Sequence, residues 1–391
     1  MNDRIIRLKK GMLNARLVFL FLYTGFVSAA PLIINHASTD ITKVPESAIL
    51  QARNRLHIAY GHTSHGSQIT EGMDGLIGFA NGGGRGLSLP DDIFVWNEGG
   101  YDGALDLHDY AMDGDVGYYP EWVNETRSYL NNPAHADVNV IMWSWCGQVD
   151  DKYAAGTLES EYLTPMSQLE NDYPGVTFVY MTGHVDHWDD ANNKAANQVI
   201  RDFCTGHDKV LYDFADIESY DPDGTWFEFP NDNCDYYASE DGPKLGNWAR
   251  EWQDSHTENT DWYECGSQHS EPLNANQKAY AAWWMFARLA GWETTDVTQH
   301  TGLPGECSLL ANFPNPFNGN TTISYMLEEA SPVTLSVCNI LGERQDILFR
   351  GMQPAGSHTF QWHARNLSSG TYLIRLETDS RTENRRVLYI K

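Results

Sequence analysis

Apolar and polar residues follow one pattern up to about residue 293 and a different pattern after it. In the first part, short apolar runs alternate with segments that repeat an apolar residue every three or four positions. The runs predict strands at 55–60, 138–143, 176–181 and 209–214, and the periodic segments predict helices at 67–79, 158–169, 191–204 and 274–290. Because strands that alternate with helices form parallel sheets covered by helices, we expect residues 31–293 to form an α/β domain, a three-layer, flavodoxin-like parallel sheet.

Near the C-terminus the pattern changes to short alternating strands. These fall at 321–326, 333–339, 358–363, 371–376 and 386–390, separated by Gly, Pro or Asn turns. The alternation predicts a small all-β sandwich over residues 309–391, after a turn-rich linker at 294–308. Between 220 and 265 no period holds, and the segment is rich in Asp, Asn, Gly, Trp and Tyr. Its aromatic content favours a folded insertion or a lid over a disordered loop.

The first 29 residues have the composition of an export signal. A basic start is followed by an apolar run at 17–26 and by the small residues Val27, Ser28 and Ala29. The run is shorter than the ~20 residues that cross a bilayer, so we expect a cleaved signal peptide over residues 1–29. The protein is then secreted or held at the outer cell surface, without a stable membrane span.

The formal net charge of −27 lies mostly between the signal peptide and the predicted sandwich. Such a field repels nucleic acid and anionic membranes, so we expect neither as a partner. It suits a solvated extracellular protein. Six cysteines are present without a CxxC pair. Export makes disulfides the expected state of these cysteines, although their spacing fixes no pairing.

The predicted sandwich carries several motifs in a fixed order. They are NFPNPFN at 312–318, ILGE at 340–343, NLSSGTY at 366–372 and LYIK at 388–391. Together they resemble the C-terminal sorting domain of the type IX secretion system. This resemblance implies that the signal peptide takes the chain across the inner membrane, and that the type IX machinery, as a partner, takes it across the outer membrane. The passenger is then released or attached to the surface.

A candidate nucleophile follows the first predicted strand. The motif YGHTSHG at 60–66 places Ser64 between two glycines in a strand-to-helix turn. A serine hydroxyl needs an adjacent base and fixed donors for the oxyanion, and a helix N-terminus aims its N–H groups at negative charge. The turn therefore favours a catalytic Ser64, although a helix cap is the ordinary alternative. GxSxG is absent, so the nucleophile elbow of α/β-hydrolases does not apply.

From 55 to 293 the order of motifs resembles that of SGNH (GDSL-like) hydrolases, in members with Gly-His-x-Ser-x-Gly in place of Gly-Asp-Ser. After the serine come a turn WNEGG at 96–100, a strand end CGQVD at 146–150 and a histidine before the last predicted helix. The resemblance implies a nucleophile at Ser64 or its rival Ser67, oxyanion donors at Gly100 and Gln148, and a base at His269 that Glu264 or Asp261 orients. Gln148 and Gly266 depart from the family's Asn and Asp.

These roles predict a secreted serine esterase, either a carboxylesterase or a carbohydrate esterase, which needs no cofactor. His269 would take the proton of Ser64, the serine would attack the ester carbonyl, and water would then release the acyl group. Export, aromatic richness and the habits of the family favour an acetyl ester on a polysaccharide as the substrate.

A second cluster, GHVDHWDD at 183–190, follows another predicted strand. His184, Asp186 and His187, joined by His62 and His65, are residue types that hold transition metals, so a metal-dependent hydrolase is the alternative. No fixed spacing such as HExxH is present. We therefore expect no metal and place these five residues in the substrate cleft. A non-catalytic glycan-binding protein is the third interpretation, because 13 Trp and 20 Tyr could stack on sugars.

Overall fold

The structure is a computed structural model that describes residues 31–293 and most of the C-terminal region. The described C-terminal segments are 308–313, 317–327, 330–339, 344–354, 356–364, 367–378 and 382–391. The predicted signal peptide and residues 294–307 of the predicted linker lie outside the described residues. The chain divides into two compact units, Met1–Trp292 and Glu293–Lys391.

The first unit is built on a seven-stranded sheet. Its strands are β1 (Leu32–Ile34), β2 (His57–Gly61), β3 (Trp96–Asn97), β4 (Leu105–His108), β5 (Val140–Trp143), β6 (Thr177–Met181) and β7 (Val210–Tyr212). They pair in the order β1-β7-β6-β5-β2-β4-β3, and every pair is parallel. The five strands β4-β2-β5-β6-β7 have the 2-1-3-4-5 order of flavodoxin-like sheets. The prediction of a parallel α/β sheet is confirmed.

Helices cover both faces of this sheet. They are α1 (Glu46–Arg55), α2 (Ser67–Asn81), α3 (Glu121–Leu130), α4 (Val149–Ala154), α5 (Thr164–Asp172), α6 (Asp190–Gly206), α7 (Phe214–Ile217), α8 (Trp248–Ser255) and α9 (Pro272–Leu289). Successive strand residues point to opposite faces. In β5, Val140 and Met142 join a core with α1, α2 and α9, whereas Ile141 and Trp143 join a core with α3, α5 and α6.

The last helix, α9, is buried along nearly its whole length, which is why its sequence is apolar on almost every side. It begins with Pro272, whose missing N–H is not needed in a first turn, and it is followed by Gly291 with a left-handed φ of 103°. Gly72 of α2 lets the two helices approach closely, since a Cβ there would lie 2.2 Å from the Ala275 carbonyl. This packing holds the loop before α9 next to α2.

The segment 220–265 folds around its own small core. A short antiparallel pair, β8 (Asp235–Tyr237) and β9 (Lys244–Asn247), leads into α8. Its buried apolar side chains are Cys234, Trp248, Ala249, Trp252 and Trp262, which pack together with Leu273 of α9. The aromatic residues of this segment therefore stabilise an ordered insertion in the first unit.

The second unit is all-β. Its strands are β10 (Ser308–Phe313), β11 (Asn320–Leu327), β12 (Ser331–Asn339), β13 (Arg344–Gln353), β14 (Gly356–His363), β15 (Gly370–Glu377) and β16 (Thr382–Tyr389). They form antiparallel sheets in the orders β10-β11-β14 and β13-β12-β15-β16. Side chains from both sheets, such as Ile323, Leu335 and Ile374, share one core. The prediction of an all-β C-terminal region is confirmed.

The cysteines do not form the expected disulfides in the described part of the chain. Five of them, Cys146, Cys204, Cys234, Cys265 and Cys338, are free, and Cys307 lies outside the described residues. Each of the five packs in its own surroundings, so no two are brought together as a bonded pair. Among the described residues, none of the helices combines the length and apolar character that crossing a bilayer requires.

Candidate active site

Two neighbouring strands end at the same edge of the sheet, and each is followed by a chemically reactive side chain. β2 and β5 pair in parallel, and their last residues, Gly61 and Trp143, lie side by side. Ser64 follows β2, and Cys146 follows β5 at the same distance along the chain. The strand order reverses between β2 and β5, and open α/β sheets bind ligands in the crevice at such a point.

The turn after β2 is packed closely against the end of β5. One 3-10 turn leads from Ser64 into α2. Gly66 has no room for a side chain, because a Cβ there would lie 2.2 Å from the Ser144 hydroxyl oxygen and 2.4 Å from His62 Cβ. Ser67 is buried, and its hydroxyl donates to the Ser64 carbonyl at 2.8 Å. Ser67 therefore anchors the start of the helix, whereas the Ser64 hydroxyl faces β5.

A chain of polar contacts runs from Ser64 to the insertion at 220–265. The Ser64 hydroxyl oxygen lies 3.0 Å from Cys146 Sγ, and this sulfur lies 3.6 Å from His65 Nδ1. The other ring nitrogen of His65, Nε2, lies 3.2 Å from Asp232 Oδ2. A thiol beside an imidazole that a carboxylate orients is the arrangement of a nucleophile, a base and an orienting group.

The charges of these groups favour a reactive thiol. The hydrogen bond with His65 outweighs burial and lowers the pKa of Cys146 to about 6. Burial disfavours the charged form of His65, but the contacts with Asp232 and Cys146 outweigh burial and raise the pKa of His65 to about 9. Between these two pKa values the pair is a thiolate beside an imidazolium, and the thiolate is the nucleophilic form of cysteine.

Three imidazoles meet at this edge of the sheet. The His65 ring stacks on that of His184 at a centroid distance of 3.9 Å and on that of His269 at 4.6 Å. His65 and His184 are buried, whereas His269 is exposed and has a left-handed φ of 64°. Burial, reinforced by the charge of His65, lowers the pKa of His184. The fold thus brings residue 269 to the turn that carries Ser64.

Ser64 and His269 do not form the predicted hydrogen bond. Within residues 31–293, the partner of the Ser64 hydroxyl is Cys146, and the contact of the His269 ring is with His65. Glu264 is exposed, and no hydrogen bond joins it to His269 within the same residues. The reason is positional, because the His65 ring lies between Cys146 and the insertion, and the His269 ring packs against His65 instead of Ser64.

The loop before α9 is fixed by α2. The Gln268 N–H donates to Glu71 Oε2 at 3.3 Å, and the Gln268 carbonyl accepts from the Gln68 amide. A Cβ at Gly266 would lie 2.8 Å from Glu71 Cδ. Gly266, which stands where SGNH hydrolases have Asp, therefore leaves room for the Glu71 carboxylate of α2.

The two predicted oxyanion donors lie in different places. Gln148 lies two residues after Cys146, and its Oε1 is buried without a hydrogen bond. The side chain packs against Gly117, because a Cβ added at that glycine would lie 2.6 Å from Gln148 Oε1. Gly100 lies away from the site: it packs against Asp106, which pairs with His57 at the amino end of β2. The turn at 96–100 follows β3, which β4 separates from β2. The structure therefore does not support Gly100 as a donor at Ser64.

A cleft of about 410 Å³ opens beside Ser64. It is lined by residues of the turn after β2, of the loop after β4 and of the loop before α9: His62, Thr63, Ser64, Tyr110, Met112, Asp113, Gly114 and Gln268. His62 is buried in the wall, where its Nε2 lies 2.7 Å from Asp109 Oδ1 and its ring packs at a tilt of 41° against Tyr110, with 4.0 Å between the ring centroids. The glycine that borders this cleft is Gly114, in the loop after β4.

The side chains of the cluster at 183–190, which the sequence offers as the alternative metal site, do not converge. Asp186 Oδ1 accepts from the Trp188 N–H at 2.8 Å, and the His187 ring stacks on a tyrosine of the insertion at 3.6 Å. His184 alone faces the site, because its ring stacks on His65. A loop of this kind turns neighbouring side chains in different directions, so residues close in sequence need not share a ligand.

A buried ion pair lies behind the histidines. Lys278 Nζ of α9 and Glu218 Oε1 are 2.5 Å apart and both side chains are inaccessible to solvent. Glu218 Oε2 also accepts from the Val185 N–H at 2.8 Å, and Lys278 contacts the Gln68 amide oxygen. Burial lowers the pKa of Lys278. The pair connects α9 and α2 with the loop of His184 and so helps to fix the site.

The sequence pattern assigned no role to Cys146 and Asp232. Cys146 follows a fully buried strand and lies next to Gln148 in the chain, so its place at the sheet edge could be read from the pattern. Asp232 belongs to the insertion, and nothing in its local sequence indicates that it reaches His65. Only the fold of 220–265 brings this carboxylate to the site.

Comparison with known families identifies the second unit. Residues 311–391 match the family model of the secretion system C-terminal sorting domain. The chain therefore ends in a type IX sorting domain, which indicates secretion and attachment to the cell surface, and implies an interaction with the type IX machinery. The match does not extend to residues 31–293, so the resemblance of that region to SGNH hydrolases stays a prediction.

Similarity to solved structures is weak. PorZ, an essential surface component of the type IX secretion system of Porphyromonas gingivalis, is 17% identical, with 22% of this chain and 12% of that chain covered and a TM-score of 0.17. The endo-β-1,4-mannanase of Thermotoga petrophila is 10% identical, with 65% and 47% covered and a TM-score of 0.24. The chain thus spans less than half of either protein. A Cellulomonas fimi endo-β-1,4-mannanase double mutant is 13% identical, with 74% and 54% covered and a TM-score of 0.19. No curated protein matches the chain significantly.

Proposed function

We propose that this protein is a secreted ester hydrolase that works through a covalent acyl-enzyme at the β2/β5 edge, with Cys146 as the nucleophile. The observation that carries the proposal is the chain Cys146–His65–Asp232, whose successive polar atoms lie 3.6 Å and 3.2 Å apart. Nucleophilic hydrolases of unrelated folds share such a chain. The sorting domain supports action outside the cell.

The first half of the reaction forms a thioester. The Cys146 thiolate attacks the ester carbonyl carbon, and the negative charge moves to the carbonyl oxygen. When this intermediate collapses, the bond from carbon to the alcohol oxygen breaks, and the protonated His65 gives its proton to the leaving oxygen. Asp232 keeps the imidazole oriented through Nε2, while Nδ1 faces the sulfur.

The second half restores the enzyme. The neutral His65 takes a proton from water as the water oxygen attacks the thioester, and the carbon–sulfur bond then breaks to release a carboxylic acid and the thiolate. The Ser64 hydroxyl, 3.0 Å from Sγ, and the amide of Gln148 are the donors that we assign to the oxyanion. The Ser64 hydroxyl stands next to the sulfur, where the charge on the carbonyl oxygen develops, and Gln148 follows Cys146 by two residues at the same strand end.

A serine esterase that uses Ser64 and His269 is the second candidate. Two observations favour it: Ser64 lines the cleft, and the His269 ring stacks on the imidazole next to Ser64. His269 is exposed, so its side chain can turn toward Ser64 without displacing a buried group. In that mechanism the Ser64 oxygen would carry the acyl group, and Cys146 would only donate to it.

Exposed aromatic rings around the edge support a polysaccharide ester as the substrate. Tyr110, Tyr118 and Tyr119 follow β4, and Trp188 follows β6, and all four rings are exposed. Flat apolar rings that carry a polar group are suited to stacking on sugars. Hydrolysis of an acetylated oligosaccharide should therefore exceed that of a small aryl acetate in kcat/KM, and equal values would contradict this substrate class.

The deciding experiment compares ester hydrolysis and covalent labelling in the full secreted chain. We expect Cys146→Ala to lower kcat/KM for an aryl acetate by about 10³-fold or more, because the nucleophile is lost. Ser64→Ala should cost about 10-fold to 10²-fold, as expected for one oxyanion donor. Iodoacetamide should label Cys146 near neutral pH, and a fluorophosphonate should leave Ser64 unmodified.

Cys265→Ala is the matched control. This thiol is also half-buried, but burial raises its pKa to about 12, so we expect no alkylation near neutral pH and no loss of activity. Full activity in Cys146→Ala together with fluorophosphonate labelling of Ser64 would establish the serine mechanism instead. Absence of ester hydrolysis and of both labels would reject both candidates.

A further inference from the structure

Three side chains from separate parts of the chain converge at the candidate active site as possible metal ligands. One nitrogen each of His65 and His184 and one carboxylate oxygen of Asp232 all lie within 4.8 Å of one another. Both imidazoles are buried, and Asp232 is partly buried. Ligand atoms at these separations can move onto one ion by small side-chain rotations, because a zinc ion holds its nitrogen and oxygen ligands at about 2.0–2.2 Å.

The surroundings of His184 match those of a metal ligand. Its Nδ1 lies 2.8 Å from the Val185 carbonyl, and the His184 carbonyl accepts from the Asn193 amide at 3.0 Å. An Nδ1–H donated to a backbone carbonyl fixes the ring and leaves Nε2 with its lone pair, which is how ligand histidines are usually held. Nε2 points toward Gly147, where a Cβ would lie 4.0 Å from it.

Cys146 lies at the other nitrogen of the His65 ring. Its sulfur lies 3.6 Å from Nδ1, whereas Asp232 lies beside Nε2, so an ion held between His65 Nε2 and Asp232 does not take the thiolate as a ligand. Two imidazoles and one carboxylate are a donor set suited to Zn²⁺, whereas Ca²⁺ and Mg²⁺ prefer oxygen alone. The donors thus select a borderline-soft divalent ion.

We propose that His65, His184 and Asp232 form a binding site for a zinc-type divalent cation. The ion replaces the proton that joins His65 to Asp232, so binding releases a proton from the imidazole. This site shares His184 and His65 with the metal ligands that the sequence indicates, but its carboxylate is Asp232 of the insertion and not Asp186.

The ion inhibits the hydrolase, and this consequence rests on the proposed function. An ion on His65 Nε2 takes Asp232 away from the imidazole that it orients, and it excludes the imidazolium that gives its proton to the leaving oxygen. The bound ion and the active form of His65 therefore exclude each other. A chelator should restore the activity fully, since no covalent bond is formed with the ion.

Binding is tested by calorimetric titration of the full, metal-stripped chain with Zn²⁺. We expect one site per chain in the wild type and at least about 10-fold weaker binding in His184→Ala and in Asp232→Asn. His187→Ala is the matched control, because this neighbouring ring stacks on a tyrosine, and its affinity should equal that of the wild type. No binding by the wild type, or equal affinity in His184→Ala, would overturn the site.

Co²⁺ absorption tests which side chains hold the ion. The visible bands should be present in the wild type, persist in Cys146→Ser and be lost in His184→Ala. A thiolate bound to Co²⁺ would add a near-ultraviolet charge-transfer band, which we do not expect. Such a band in the wild type would place the ion at a cysteine and overturn the site.

Ester hydrolysis measured with and without Zn²⁺ separates the proposed metal site from the proposed hydrolase function. Zn²⁺ at saturating concentration should lower wild-type ester hydrolysis at least 10-fold, and a chelator should restore it. Activation by Zn²⁺ would overturn the inhibitory role and favour a metal-dependent hydrolase. If the protein hydrolyses no ester at all, the proposed function fails, while the titration and the Co²⁺ spectra still decide whether the ion binds.

Discussion

Two clusters of imidazoles and carboxylates lie at opposite ends of the strands of the same parallel sheet. One contains His65, His184 and Asp232, beyond the carboxyl ends of β2 and β5. The other contains His57, Asp106 and Asp137, at the amino end of β2. In the second, His57 Nδ1 lies 2.7 Å from Asp106 Oδ2, which is closer than the 3.2 Å contact between His65 and Asp232. The shorter contact thus belongs to the cluster without the nucleophile.

The difference shows which features make such a pair chemically useful. The Asp106 carboxylate is already occupied, because it also accepts from the Gly99 N–H at 2.6 Å and contacts His108 at 3.1 Å. At the carboxyl edge, Nδ1 of His65, the ring nitrogen that does not contact Asp232, faces the thiol of Cys146. An imidazole–carboxylate pair is therefore a structural feature at one end of β2 and part of a candidate nucleophile at the other.

The largest effect on kcat/KM should come from His65→Ala, and His57→Ala is the matching substitution in the other cluster. His65→Ala removes the base and the positive partner of the Cys146 thiolate, so we expect kcat/KM to fall by about 10³-fold or more. His57→Ala removes an imidazole with an equally close carboxylate and should leave kcat/KM within about twofold. Steady-state kinetics on an aryl acetate measure both. Comparable losses in the two variants would remove the distinction between the clusters.

The pH profile separates the thiolate mechanism from the serine mechanism. Because the pKa of Cys146 is lowered to about 6 and that of His65 is raised to about 9, the active ion pair exists between these values. In buffer with a chelator, kcat/KM should rise up to about pH 6, stay level, and fall above about pH 9 as the imidazolium loses its proton, about tenfold per pH unit on each limb. A serine acting with a neutral imidazole gives a rising limb without the alkaline fall.

Replacing Asp232 should lower kcat/KM by a smaller factor than replacing His65, and replacing Asp106 should hardly change it. Asp232→Asn removes the charge that orients His65, and we expect kcat/KM to fall by about 10²-fold, since the nucleophile and the base remain. Asp106→Asn should keep kcat/KM within about twofold and lower the free energy of unfolding by about 1 kcal/mol, because a buried acceptor of several hydrogen bonds is weakened. Kinetics and urea denaturation distinguish the outcomes, and an inactive but stable Asp106→Asn would contradict the assignment.

Some elements of the first unit could be predicted from the sequence, and others could not. The strands β2, β5, β6 and β7 and the helices α2, α6 and α9 fall within a few residues of their predicted positions. β4 has the sequence LDLH and β3 has two residues, too little for a pattern to stand out. The helix predicted from 158 begins as a π-helical turn, and α5 proper starts at Thr164.

The sequence predicts which edge of the sheet carries the candidate site, but not which side chains contact one another there. Parallel strands end together, so Ser64, Gln148 and Cys146 could be placed at one edge from their positions after β2 and β5. Which imidazole reaches the thiol depends on how the turn at 62–66 is wound, and Asp232 arrives from an insertion without regular period. Those contacts depend on tertiary packing, which local sequence does not encode.

Two glycine substitutions give the smallest effect and test where the oxyanion donor lies. A Cβ at Gly117 would lie 2.6 Å from Gln148 Oε1, so Gly117→Ala should displace that side chain and lower kcat/KM by about 10-fold. Gly100→Ala strains a backbone with a φ of 61° next to Asp106 and should cost about 1 kcal/mol of stability with kcat/KM within about twofold. Kinetics at equal folded fraction measure the contrast. If Gly100→Ala were the more impaired variant, the oxyanion donor would belong to the turn at 96–100 and the carboxyl edge would lose its assigned role.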